Sequence, residues 1–140
     1  MIEILKSLCR INGVSGNEDA VRSYIRQHAE PYADSIHTDA LGNLMIFKRG
    51  RRPTGNKLLL CAHMDEVGLI VTRITEDGFL KFDFVGGVDR RVVLGKPVEL
   101  GPDRVPGVVG MKAIHMLTPE ERKTVPKTDM LYLDIGAADR

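Results

Sequence analysis

Two polar side chains near the middle of the chain, His63 and Asp65, have the types and the spacing of a metal-binding pair. On an extended segment, residues two apart project to the same side, so we expect the carboxylate to lie beside the imidazole. A neutral imidazole can bind Zn²⁺ or Co²⁺ through one nitrogen while a carboxylate holds the other N–H. An isolated H-x-D pattern more often marks a histidine that is hydrogen-bonded to an aspartate without a metal.

The segment before this pair predicts a strand that would place it at a sheet edge. Residues 58 to 62 form an unbroken apolar run, which is typical of a strand buried on both faces of a helix-covered sheet. Ligands of open α/β sheets bind beyond the carboxyl ends of strands, where residues 63 to 66 would lie. Cys61 lies deeper in the apolar run, so we expect it in the core.

The first 50 residues predict two helices and a hairpin. Apolar residues at helical spacing between positions 4 and 11 indicate an amphipathic first helix. The spacing of Ser15 and Glu18 is that of a capping box, which predicts that a second helix begins there, and Pro31 ends it. A period of two from Ile36 to Phe47 then predicts a hairpin.

The second half of the sequence predicts a small β barrel or sandwich with one helical turn. Asp77-Gly78 is a strong hairpin signal, and Thr118 to Glu121 has capping-box spacing with proline at the first helical position. The predicted strands cover residues 69–75, 79–84, 91–100, 105–112 and 131–135.

The composition of the chain does not indicate a binding partner. The chain has 140 residues, 20 Lys and Arg against 19 Asp and Glu, and a net charge of +1. Such a chain has no overall field to concentrate nucleic acid or an anionic membrane. The basic run from Lys48 to Pro53 lacks interleaved aromatics, so we expect a solvated loop rather than a nucleic-acid site. Two distant cysteines and no signal-peptide pattern make a cytoplasmic location the expectation.

The wider sequence context changes the interpretation of the H-x-D pair. The segment Ala62 to Gly68 resembles the first metal motif of the glutamyl aminopeptidase family, metallopeptidase family forty-two, also known as TET aminopeptidases or cellulase M. The resemblance extends over the whole chain. Its other matching segments are residues 13–18, 39–44, 107–110, 113–115, 118–122 and 131–137.

The resemblance implies a fold and an activity. Residues 1–67 would form the N-terminal part of an α/β metallopeptidase catalytic domain, and residues 68–140 an inserted small β-barrel-like oligomerisation domain, which we expect to be incomplete. Members of the family are aminopeptidases with two divalent metal ions, Zn or Co, and homo-oligomeric assembly. By position, His63 would be a metal ligand and Asp65 the catalytic-site carboxylate that orients it.

The resemblance also implies that the site is incomplete, because the family supplies its remaining metal ligands and general base from later sequence. We therefore expect the 140-residue chain alone to be inactive toward peptides, since a catalytic zinc normally needs three protein ligands. The alternative is a non-catalytic self-association module that pairs through exposed strand edges. The sequence lacks the residues that a glycosidase site, a nucleotide-binding loop or a nucleophile motif would require.

Overall fold

The computed structural model of the chain describes residues 1–52 and 55–140. These residues divide into two compact units, Met1–Glu66 and Val67–Arg140. Pro53, the last residue of the predicted basic loop, lies outside the described residues. In the described part of the chain, no helix is both long and apolar enough to cross a membrane.

The first unit contains two helices and a hairpin, as the sequence predicts. The elements are α1 (Ile2–Leu8), α2 (Asp19–Ala29), a 3₁₀ turn (Glu30–Tyr32), β1 (Ser35–Thr38) and β2 (Leu44–Phe47). The strands pair antiparallel, with Ile36 opposite Ile46. The Asp39 carboxylate accepts hydrogen bonds from the backbone N–H groups of Leu41 and Asn43, both at 2.9 Å, and so organises the turn.

The predicted capping box at the start of α2 is wrong. The helix begins at Asp19, and its N-cap residue, Glu18, makes no side-chain cap hydrogen bond. The Glu18 carboxylate instead accepts the N–H of Gly16 at 2.7 Å, and the Ser15 hydroxyl donates to Asp65. The sequence pattern was correct about the position of the helix but wrong about the bonds that these two side chains make.

The predicted buried strand at residues 58 to 62 is absent from the structure. This segment has no regular secondary structure, and Leu58, Leu59 and Leu60 are 83–87% exposed. Cys61 is also exposed, so its predicted core position is wrong. A doubly buried strand requires hydrogen-bonded neighbours and covered faces, and no strand among the described residues pairs with this segment.

The second unit contains five strands: β3 (Gly68–Ile74), β4 (Leu80–Val85), β5 (Pro97–Leu100), β6 (Val105–Met111) and β7 (Leu131–Asp134). They form one antiparallel sheet with the order β3-β4-β7-β6-β5. Because β3 and β5 are the edge strands of this order, the predicted barrel or sandwich is a single open sheet in the structure. The turn at Asp77-Gly78 joins β3 to β4, as predicted, and Gly78 has a φ of 79°.

The core of this unit lies on the central strands. Leu131 and Leu133 of β7 are 0% and 1% exposed and pack in a cluster with Leu80, Phe82, Val93 and Val109. A mixed α/β fold is therefore confirmed, with helices in the first unit and the large sheet in the second.

Two local predictions in the second unit were only partly correct. The strand predicted for residues 91–100 begins at Pro97, because Gly95 has a φ of 74° and turns the chain first. At the predicted capping box, the Glu121 carboxylate accepts the Thr118 N–H at 2.7 Å, and the Thr118 hydroxyl accepts the Glu121 N–H at 3.2 Å. The element that follows is one of three 3₁₀ turns rather than the single helical turn predicted.

Candidate active site

The structure brings His63 and Asp65 together. Nδ1 of His63 lies 3.0 Å from Oδ1 of the Asp65 carboxylate and 3.0 Å from the Asp65 backbone carbonyl oxygen. A carboxylate and a carbonyl can only accept, so Nδ1 is the donor and carries the proton. Whenever this imidazole is neutral, its lone pair is therefore on Nε2, the atom that a metal ion would use, on a side chain that is 86% exposed.

The second oxygen of the Asp65 carboxylate is also engaged. The Ser15 hydroxyl donates to Oδ2 across 2.5 Å. This hydrogen bond is the largest cause that holds the pKa of Asp65 below its ordinary value of 3.8, and the hydrogen bond from His63 is the second. Both bonds favour the charged form, so the carboxylate is ionised at neutral pH and accepts from both sides.

Backbone hydrogen bonds hold the Ser15 segment beside the pair. The Glu66 N–H donates to the Gly13 carbonyl at 2.8 Å, and the Ser15 N–H donates to the Glu66 carbonyl at 3.2 Å. These bonds form a parallel bridge between Val14 and Glu66. The Glu66 carboxylate also accepts the Gly13 N–H at 3.0 Å. Together with the bond from the Ser15 hydroxyl to Asp65, four hydrogen bonds join residues 13–15 to residues 65–66.

Helix α2 explains why the chain has glycine at position 13. Gly13 is buried, and a Cβ placed on it would lie 2.6 Å from Cγ2 of Val21, the buried residue of α2. The helix therefore packs directly against the backbone of the segment that carries Ser15. Sequence reasoning missed the contribution of Ser15 and Glu66, because their partners lie about 50 residues away along the chain.

The other histidines lie elsewhere and are exposed. His28 on α2 contacts the Tyr24 carbonyl through Nδ1 at 2.9 Å, and the two rings are 4.1 Å apart between centroids. His37 lies on β1, and His115 lies in a 3₁₀ turn of the second unit.

The donor set fits one ligand position of a metal site. His63 offers Nε2, and Asp65 fixes the tautomer that makes Nε2 available. Within residues 1–52 and 55–140, no group of three His, Cys, Asp or Glu side chains could hold a metal ion. One imidazole supplies less than the three protein ligands of a catalytic zinc, so further ligands would have to join it.

Comparison with known sequences places the chain in a family. The family model of the M42 glutamyl aminopeptidases matches residues 42–140. A curated relative from Acetivibrio thermocellus, which carries the provisional name of an aminopeptidase, is 39% identical over 140 residues. That match covers 100% of this chain and 40% of the relative, so the chain spans well under half of the relative's length.

Solved structures agree with the sequence comparison. The TET aminopeptidase of the Thaumarchaeota archaeon SCGC AB-539-E09 superposes with a TM-score of 0.88 at 35% identity, covering 99% of this chain and 38% of that chain. The TET1 peptidase of Pyrococcus horikoshii, which can assemble into a tetrahedron or a large octahedral shell, gives a TM-score of 0.81 at 37% identity, covering 99% and 41%. The chain belongs to the M42 glutamyl aminopeptidase family.

Proposed function

We propose that this chain is the N-terminal part of a two-metal aminopeptidase that removes N-terminal residues from peptides. His63 is the metal ligand that the chain contributes, and Asp65 is the carboxylate that orients it. The observation that carries the proposal is the hydrogen bond from Nδ1 of His63 to the Asp65 carboxylate, within a chain of the M42 family.

The roles of the two residues follow from their protonation. Asp65 stays ionised and holds the Nδ1 proton, which leaves Nε2 of His63 as a neutral donor for Zn²⁺ or Co²⁺. If two such ions were bound, they would polarise a peptide carbonyl and make water a stronger nucleophile near neutral pH.

The proposed activity needs ligands beyond those of this chain. The described residues contain one imidazole with an orienting carboxylate and no three-residue ligand group. The 140-residue chain alone is therefore expected to release no N-terminal residues from peptides when Co²⁺ or Zn²⁺ is added.

For residues 68–140, which lie in the second unit, we propose the role of an inserted oligomerisation domain in a cytoplasmic homo-oligomer. The support is the similarity to the Pyrococcus horikoshii TET1 peptidase, which can assemble into a tetrahedron or a large octahedral shell, and the presence of two edge strands, β3 and β5. The alternative function is that of a non-catalytic self-association module. The same two edge strands support it, because an exposed strand edge can pair with another chain. Sedimentation at high concentration tests it, since a dispersed monomer would count against association by this chain alone.

A hybrid enzyme tests the catalytic proposal. This chain replaces the segment that it matches in the Thaumarchaeota TET aminopeptidase, for which the TM-score is 0.88. The hybrid is assayed for metal-dependent release of N-terminal residues from short peptides. We expect activity in the hybrid, and a loss of about 10- to 100-fold in Asp65→Asn, which keeps the size of the side chain but not its charge.

The control variant of the hybrid is His37→Ala, which removes an exposed histidine on β1. It should leave the rate unchanged. A hybrid that has the secondary structure and assembly size of the parent enzyme but hydrolyses no peptide would contradict the proposal.

A further inference from the structure

We propose that Ser15 is a positioning residue: its hydroxyl holds the Asp65 carboxylate in the orientation that keeps His63 in the Nδ1–H tautomer. The inference rests on the proposed function for the statement that His63 is a metal ligand. The three side chains form a chain of hydrogen bonds from Ser15 through Asp65 to His63.

The geometry divides the two carboxylate oxygens between two donors. Oδ2 of Asp65 accepts from the Ser15 hydroxyl at 2.5 Å, and Oδ1 accepts from Nδ1 of His63 at 3.0 Å. Rotation of the carboxylate would break both bonds together. Because the side chains of Asp65 and His63 are 41% and 86% exposed, water competes for each bond, and one bond alone would not fix the carboxylate.

Ser15 is held in place by its backbone, independently of its hydroxyl. Its N–H donates to the Glu66 carbonyl at 3.2 Å, and Gly13, two residues earlier, is tied to Glu66 by both its carbonyl and its N–H. The segment that presents the hydroxyl is therefore fixed to the residue that follows Asp65. Removal of the hydroxyl should leave this backbone bridge intact.

Loss of the Ser15 hydroxyl has a defined consequence at His63. The Asp65 carboxylate becomes able to rotate, whereas the Asp65 carbonyl still accepts from Nδ1 at 3.0 Å. The preference for the Nδ1–H tautomer is then weakened and not abolished. A larger fraction of the neutral imidazole carries its proton on Nε2, where it blocks the lone pair that a metal needs.

The test measures the tautomer directly on the 140-residue chain, without metal or peptide. The chain is labelled with ¹⁵N-histidine, and long-range ¹H–¹⁵N spectra are recorded at a pH where the ring is neutral, with His63→Gln to assign the signal. We expect an excess of the Nδ1–H form in the unmodified chain. The ratio of Nδ1–H to Nε2–H should fall about threefold in Ser15→Ala.

Two variants serve as controls. Ser15→Thr keeps the hydroxyl and should retain the tautomer ratio of the unmodified chain. If Ser15 served only to maintain the fold, its hydroxyl would not be needed for this ratio. Ser23→Ala removes an exposed hydroxyl from α2 and should leave the ratio unchanged. If Ser15→Ala loses the dispersed amide spectrum of the folded chain, Ser15→Cys, whose thiol is a weak donor, takes its place with an intermediate ratio expected.

Two results would overturn the inference. One is an Nε2–H majority at His63 in the unmodified chain, which needs no variant to be observed. The other is an unchanged ratio in a folded Ser15→Ala or Ser15→Cys chain. Since no metal or peptide is present, either result is distinguishable from failure of the proposed aminopeptidase activity in the hybrid.

Discussion

At the scale of single residues, the contact between His63 and Asp65 could be predicted, whereas that of Ser15 could not. The first contact joins side chains two positions apart, and local geometry decides it. Ser15 forms its bond across 50 positions, and its spacing to Glu18 also fits a helix cap. A local pattern cannot choose between a cap and a distant partner, because only the folded backbone brings that partner near.

Asp89 offers a residue-scale prediction about pH. The side chain of Arg91 donates through Nε to both carboxylate oxygens, at 2.9 and 3.0 Å, and lowers the pKa of Asp89 to about 2. The carboxyl carbon signal in a ¹³C NMR pH titration should therefore have its midpoint at about 2. Arg91→Gln should raise this midpoint toward the ordinary value of 3.8, because the largest stabilising contact is lost.

The lowered pKa of Asp89 also determines how the contribution of this ion pair to stability changes with pH. The folded pKa of Asp89 is depressed, so the ion pair contributes fully above pH 3.8, and the contribution is lost as the pH falls toward about 2. Arg90→Gln is the matched control, since Arg90 acts only through charge and ranks last among the causes. A midpoint near 3.8 in the unmodified chain would contradict the ion pair.

At the scale of elements, the accuracy of prediction depended on where the stabilising partners lie. The hairpin around 39–42 was predicted from the period of two in its strands, and the turn at 77–78 from its Asp-Gly pair, so both depended on local patterns. The apolar segment 58–62 was predicted as a buried strand, but an extended run forms a strand only when neighbours pair with it. Hydrophobicity alone therefore predicted a strand, but no strand among the described residues forms hydrogen bonds with this segment.

The β3–β4 turn gives an element-scale prediction. Gly78 has a φ of 79°, and a Cβ on it would lie 2.7 Å from the Ala137 carbonyl oxygen. Gly136 has a similar φ of 76° but nothing within 4 Å of its Cβ position. Both alanine substitutions should lower the free energy of unfolding by about 1 kcal/mol, because alanine is strained at a positive φ. Gly78→Ala should lose a further ~1–3 kcal/mol from crowding, measured by urea unfolding. Equal losses for the two variants would contradict the close approach of the chain end to this turn.

At the scale of the whole molecule, the mixed α/β fold and the family were predicted, but the distribution of the core was not. Burial in the second unit concentrates on β4, β6 and β7, whereas the three leucines at 58–60 are exposed. Chain-wide apolar content cannot tell these two groups apart. The difference arises because the residues of this cluster pack against one another, whereas Leu58, Leu59 and Leu60 remain exposed.

Matched leucine variants test this distribution of the core. Leu133 is 1% exposed and Leu59 is 83% exposed. Leu133→Ala should lower the free energy of unfolding by about 2–5 kcal/mol, because it leaves a cavity in the sheet core. Leu59→Ala should change it by less than about 0.5 kcal/mol. Similar losses in urea unfolding would show that residues 58–60 are buried in solution.

The central claim is that His63 is the metal ligand that this chain brings to an aminopeptidase site. The most direct measurement is the rate ratio between His63→Ala and His37→Ala in the hybrid with the Thaumarchaeota TET aminopeptidase, at saturating Co²⁺ or Zn²⁺. We expect His37→Ala to match the unmodified hybrid and His63→Ala to lose at least about 100-fold, since a lost ligand should cost no less than a lost orienting partner. Equal rates for the two variants would contradict the claim.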